Sequence, residues 1–125
     1  MNQYKTQGTP ADRVPGSGNR IIYLSVLGEL IITLHLLFAH TRKMLALRKF
    51  RQVYSCMDIV NRMYESGNGA QRVAVETQYI SSVVLLRQGC TKSEWNLVMT
   101  MMPRSIYKAY SKQLASEKVS NPDFE

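Results

Sequence analysis

The residue pattern predicts an all-α chain of four to five helices. A helix-turn-helix-like pair stands near the C-terminus and a flexible arm precedes the first helix. Three observations carry this. Phe50, Val53, Met57, Val60 and Tyr64 recur at alternating spacings of three and four, the stripe of a helix that buries one face. Thr91 is followed three residues later by Glu94, the capping box that opens a helix. The stretch richest in strand formers, residues 70–88, loses strict alternation at Ser81, Ser82, Val83, Val84, Leu85 and Leu86.

Residues 1–20 read as the arm. Gly8, Pro10, Pro15, Gly16, Ser17 and Gly18 punctuate them and few apolar side chains are available to bury. No apolar core of a secretory signal lies near Met1, so none is expected.

Residues 21–39 are the most apolar stretch, with twelve of nineteen being Leu, Ile, Val or Phe. On an insertion scale these contribute roughly −4 to −7 kcal/mol, while Glu29 costs about 3. A membrane span therefore survives the arithmetic. The polar residues nevertheless form a stripe: Ser25, Glu29 and Thr33 at every fourth position, continued by His40 and Lys43. Lipid does not require such a stripe, whereas a helix buried on most of its circumference suits one. A core or oligomer-interface helix is the preferred reading. If the segment spans, the heavier basic cluster after it (Arg42, Lys43, Arg48, Lys49 and Arg51) places that side in the cytoplasm.

A second helix is expected over residues 42–64, ended by a left-handed cap at Gly67 or Gly69. Residues 70–88 read as helix with Gly89 as C-terminal cap. The capping box then starts a helix at Lys92, with Trp95, Val98, Met99 and Met102 on its apolar face. Pro103 breaks that helix and can open another. There Ile106, Tyr107, Tyr110 and Leu114 line one side, and Arg104, Lys108 and Lys112 line nearly the opposite one. The chain thus divides into the arm (1–20), a helical core and oligomerisation region (21–88), the helix-turn-helix-like region (89–118) and a tail (119–125).

Function is bounded by charge and by what is missing. The 125 residues carry 16 Lys and Arg against 9 Asp and Glu, a net charge of +7. That balance points to an anionic partner such as nucleic acid, acidic lipid or an acidic protein. Two Cys and two His cannot build a four-Cys zinc site or a disulfide scaffold. No phosphate-binding glycine loop, nucleophile–base pair or carboxylate pair is legible, so the expectation is a protein without catalysis, cofactor or metal. Glu29 is expected in a salt bridge, His35 as a satisfied core histidine and Cys56 as a buried apolar residue. Cys90 is expected to be more exposed, and the clustered Met residues to form an adaptable packing surface.

Two short helices with a tight joint and a basic second helix make a helix-turn-helix pattern. In the major groove Arg can donate two bonds to guanine and Lys can meet phosphate. The expected DNA contacts are Arg104, Ser105, Lys108 and Lys112, with Arg42, Lys43, Arg48, Lys49 and Arg51 as further phosphate contacts. The expected oligomer interface uses Leu30, Leu34, Leu37, Phe50, Met57 and Val60, because so apolar a set exceeds what a chain this short hides alone.

The run ITLHLLFAH at 32–40 resembles the first-helix segment of the FlhD family. The run RQGCTKSEWNLVMTMMPRSIYKAYSKQL at 87–114 is similar in layout to the DNA-contacting helices of the FlhD and FlhC transcriptional activators. The resemblance implies an all-α cytoplasmic bacterial subunit that oligomerises, binds promoter DNA and recruits RNA polymerase. The two segments lie further apart here than in FlhD, and the four-Cys zinc site of FlhC has no counterpart. The expected function is a DNA-binding transcriptional regulator acting as an oligomer. The alternatives are a small non-catalytic subunit of a larger assembly, anchored to a membrane through residues 21–39, and a helical protein-binding chaperone.

Overall fold

A computed structural model of the chain describes the backbone of residues 17–120 and the side chains of residues 21–117. It is all-α, and no strand occurs among the described residues. The elements are α1 (Ser17–Ala46), α2 (Phe50–Ser66), α3 (Gly69–Gln78), a 3-10 turn (Ile80–Ser82), α4 (Val83–Gln88), α5 (Lys92–Met101) and α6 (Arg104–Ser120). Because α3, the turn and α4 are one run interrupted at Tyr79, five helical rods result. Of the expected arm, residues 1–16 lie outside the described residues, as do residues 121–125 of the tail; residues 17–20 already belong to α1.

One compact unit ends at Leu30 and the next begins at Ile31. In the first, Ile21, Ile22, Tyr23, Leu24 and Val26 are exposed. In the second, α1 buries Leu34, Thr41, Met44 and Leu45, with Leu37 and Phe38 half-buried, a seam at helical spacing. The polar stripe read from the sequence is exposed, but so is most of α1: 6% of its most apolar stretch is buried, against the expected burial over most of its circumference. Thr41 is the exception on the buried side. Its hydroxyl donates to the Leu37 carbonyl at 2.7 Å and accepts from the Tyr79 hydroxyl at 2.9 Å. Burial pushes the Tyr79 phenol pKa up, and the Thr41 bond pulls the other way. Phe38 meets the same ring edge-on, with centroids 5.8 Å apart. His35 is exposed rather than in the core, because the seam turns it outward; its Nε2 bonds Gln78 Oε1 at 2.6 Å.

The boundary between the first two helices differs from expectation. α1 runs on to Ala46, and the joint falls at Leu47, Arg48 and Lys49. Arg48 has φ 59°, in the left-handed region. The Lys49 amide bonds the Met44 carbonyl at 2.9 Å and the Arg48 amide bonds that of Leu45 at 3.0 Å. This is a Schellman ending with Arg where Gly is usual. The Arg48 side chain offsets the steric cost by donating to the Leu45 carbonyl at 2.8 Å and pairing with Glu94 at 2.6 Å. Residues 67–69 supply no left-handed cap, since no glycine among the described residues has positive φ. Gly67 answers a different need. A Cβ there would stand 2.8 Å from the Met63 carbonyl oxygen and 3.0 Å from Gln71 Cβ. Asn68 starts α3 through a capping box with Gln71.

The seam of α2 is as expected: Val53, Met57, Val60 and Tyr64 are buried and Phe50 is half-buried. Cys56 is buried beside it. This corrects part of the expected oligomer interface. Leu34, Met57 and Val60 have no exposed surface left for a second subunit, because this chain's own helices cover them. Leu30, Leu37 and Phe50 are half-buried. The exposed apolar side chains of α1 are instead Ile21, Ile22, Leu24, Val26, Ile32 and Leu36, the last 66% exposed.

Candidate nucleic-acid interface

The C-terminal pair is built from its caps inward. Thr91 Oγ1 accepts from the Glu94 amide at 3.1 Å, and Glu94 returns the bond to the Thr91 amide at 2.9 Å. α5 starts at Lys92, where the spacing predicts it. The Thr91 backbone bond holds the Glu94 carboxyl below its ordinary pKa; desolvation opposes it, and the charge and bond of Arg48 add to the lowering. α5 ends at Met101, and Met102 after it has the extended backbone that a residue before proline adopts. Pro103 then leads into α6.

Pro103 offers no side-chain cap, so α6 borrows one. The side-chain oxygen of Asn61, buried on α2, accepts from the Ile106 amide at 3.2 Å. One turn further along α2, Glu65 accepts from the Ser105 hydroxyl at 2.6 Å. Trp95 of α5 meets Tyr110 of α6 edge-on, with centroids 6.2 Å apart. Ile106 and Val98 are fully buried behind the joint. Further along α6, Gln113 donates to the Glu76 carbonyl of α3 at 3.2 Å. α6 is thus fixed to three other helices along one side.

Its other side carries the expected basic row, and Arg104, Lys108 and Lys112 are all exposed. Tyr107 joins that face at 40% exposed rather than packing inward, because Ile106 and Tyr110 already fill the inner positions. Ser105 is only half-exposed and its hydroxyl is engaged with Glu65. That places a carboxylate where a phosphate contact was expected. Lys112 lines a shallow depression that also holds Glu76 and Glu117. Of the second basic group, Arg42, Lys43, Lys49 and Arg51 are exposed, whereas Arg48 is committed to the joint and to Glu94.

Asn61 and Glu65 are the functional residues that sequence reasoning missed. Both lie off the apolar stripe of α2, and only the fold shows that they reach the start of α6. Cys90 is half-buried, its thiol directed at the Leu86 carbonyl at 3.4 Å. Burial and the nearby Glu94 raise its pKa, which opposes thiolate chemistry at neutral pH. Among the described residues, no three His, Cys, Asp or Glu side chains gather as a metal site would require.

Residues 24–116 match the model of a family described as a domain of unknown function (DUF7674). No curated protein and no solved structure matches the chain.

Proposed function

Because the chain belongs to the DUF7674 family, whose description assigns no activity, we propose its role from its own residues: a non-catalytic DNA-binding regulator that acts as an oligomer. The observation that carries this reading is the division of α6 into two sides. Asn61, Trp95 and the Glu76 carbonyl hold one, and Arg104, Lys108 and Lys112 stand exposed on the other. A helix that enters a groove needs that rigidity behind it and those donors in front. The net charge of +7 supports the same partner class. Arg104 and Lys108 are the main contacts in this reading. Ser105 and Arg48 drop out, since their polar groups already serve internal bonds. The exposed apolar residues of α1 supply the oligomer contact, displaced from the interface expected from the sequence. RNA polymerase is a further partner under this reading.

The test is binding to labelled duplex DNA by wild type and by an Arg104→Ala, Lys108→Ala double variant. Loss of two phosphate-neutralising cations lowers the steepness of the log K against log salt plot by about two. An unchanged slope and affinity would remove α6 from the interface.

A second reading, a membrane-associated subunit, is favoured by α1 alone. Its segment Ile21–Ala46 has a mean hydropathy of 2.1 and is long enough to cross a bilayer. Yet Leu34, Thr41, Met44 and Leu45 are buried in the second unit. Only about thirteen apolar-rich residues precede Leu34, roughly 20 Å of helix against a hydrocarbon core of about 30 Å. α1 as folded suits insertion into one leaflet rather than a span. Retention on membranes after an alkaline wash separates a true span from either alternative.

A further inference from the structure

We propose that the groove between α4, α5 and α6 binds an aromatic monocarboxylate, with Arg87 and Tyr110 holding the carboxylate and Trp95 forming the wall for the ring. The groove has a volume of about 640 Å³. That lies in the range of small-molecule sites, and its lining mixes apolar surface with a few polar groups as such sites do.

Tyr110 is one of the residues that line the groove. Its side chain is 97% buried, since only 3% is exposed, and its ring packs edge-on against Trp95. Its hydroxyl is the one buried side-chain polar atom among the described residues that meets no hydrogen-bond partner in good geometry. A buried hydroxyl without a partner is costly, and a donor so placed has a use for an acceptor. Burial pushes the phenol pKa up; Arg87 pulls it down by its charge and by a side-chain contact that falls short of full hydrogen-bond geometry, and the Glu117 carboxylate adds a smaller upward push. A guanidinium and a phenol O–H therefore converge on one spot of the groove. A carboxylate placed there accepts from both.

The rest of the lining selects the body of the ligand. Trp95, Met99 and Leu114 are apolar and Lys92 adds a cation at the rim. A flat ring meets the aromatic walls edge-to-face, as they meet each other. A dianionic phosphate is disfavoured. The backbone amides at the start of α5 that would bind it are partly taken by Thr91, and the Glu94 carboxylate stands at the same helix end. The proposal is independent of the DNA reading, because its test contains no nucleic acid.

Trp95 is the only tryptophan of the chain and sits in the groove, so its fluorescence reports occupancy. Full-length protein is titrated with phenylacetate, and in parallel with 2-phenylethanol and 2-phenylethylamine, which keep the ring and lose the negative charge. The expected result is a saturable change with phenylacetate in the millimolar range usual for so small a ligand, and at least tenfold weaker binding of the alcohol and amine. Arg87→Gln is expected to weaken phenylacetate at least tenfold and Tyr110→Phe severalfold. The Tyr110→Phe variant should melt no lower than wild type, since it removes an unpaired buried hydroxyl. A merely structural tyrosine would lower the melting temperature and leave the ratio of acid to alcohol affinity unchanged. No saturable response to phenylacetate, equal binding of the alcohol, or undiminished binding by a folded Tyr110→Phe variant would each overturn the proposal.

Discussion

Replacing Asn61 with Ala removes the side-chain cap that α6 receives at Ile106. The wild-type bond is 3.2 Å long and lies in a buried setting. Pro103 cannot replace it, and the Ser105 hydroxyl is turned towards Glu65. In Asn61→Ala the Ile106 amide loses its acceptor where water cannot easily reach. The loss of a helix cap costs about 1 kcal/mol, up to about 2 where the site is well packed. An orphaned buried amide falls in the same range, about 1–3 kcal/mol. For a domain of this size, 1–2 kcal/mol corresponds to a fall in melting temperature of roughly 4–8 °C. Thermal melts by circular dichroism check the total, and hydrogen exchange at Ser105 and Ile106 checks the location. Asn61→Asp keeps an acceptor at the positive end of the helix and should recover most of the loss. If Asn61→Ala melts within 1 °C of wild type, or if the Ile106 amide exchanges no faster, α6 is not held as described.

Gly67→Ala should destabilise by about 1–3 kcal/mol, because the added Cβ meets backbone at 2.8 Å and Gln71 Cβ at 3.0 Å; urea unfolding checks it. At Arg48, φ 59° makes Gly the tolerant substitution and Ala the strained one. Both lose the same side-chain bonds, so Arg48→Gly should be the more stable of the two by about 1 kcal/mol in the same assay. Glu94 has a folded pKa below its ordinary 4.5, so its contribution is present above that value and is lost as pH falls through the lower folded pKa. Glu94→Gln should therefore flatten the acid limb of the stability–pH profile and leave its shape near neutrality unchanged. Leu36→Glu, on the exposed side of α1, should change monomer stability by no more than about 0.5 kcal/mol while shifting the oligomeric state in sedimentation. An unchanged sedimentation profile would remove the α1 surface from the oligomer contact.

The parts of this fold that local chemistry decides were legible in the residues. The capping box of Thr91 and Glu94 places the start of α5, and the spacing of Val53, Met57, Val60 and Tyr64 marks the buried side of α2. Helix prevailed over strand in residues 70–88 with an interruption at Tyr79, where the ring is drawn into the core to meet Thr41 and Phe38. The joint at Arg48 was not legible. Its left-handed residue carries no glycine signature, and its stability comes from Glu94, 46 positions further along the chain. The basic row of α6 could be read as a helical face. What could not be read is which neighbours reach it: Asn61 and Glu65 are ordinary polar residues of α2 until the fold brings them to Ile106 and Ser105. Composition likewise showed that α1 is too apolar for a lone helix, while the assignment of Leu34 to the core and Leu36 to the surface needed the packing.

The most direct test of the account is the salt dependence of duplex DNA binding by the full chain, read as anisotropy of a labelled fragment. If Arg104, Lys108 and Lys112 meet phosphate, with Arg42, Lys43, Lys49 and Arg51 adding to them, log K should fall against log salt with a slope between about −3 and −6. Arg104→Ala should weaken binding about equally across sequences and lower the steepness of that slope by about one. A soluble, folded protein that shows no binding at low salt, or a slope near zero, would contradict the claim that the exposed side of α6 is a DNA-binding surface.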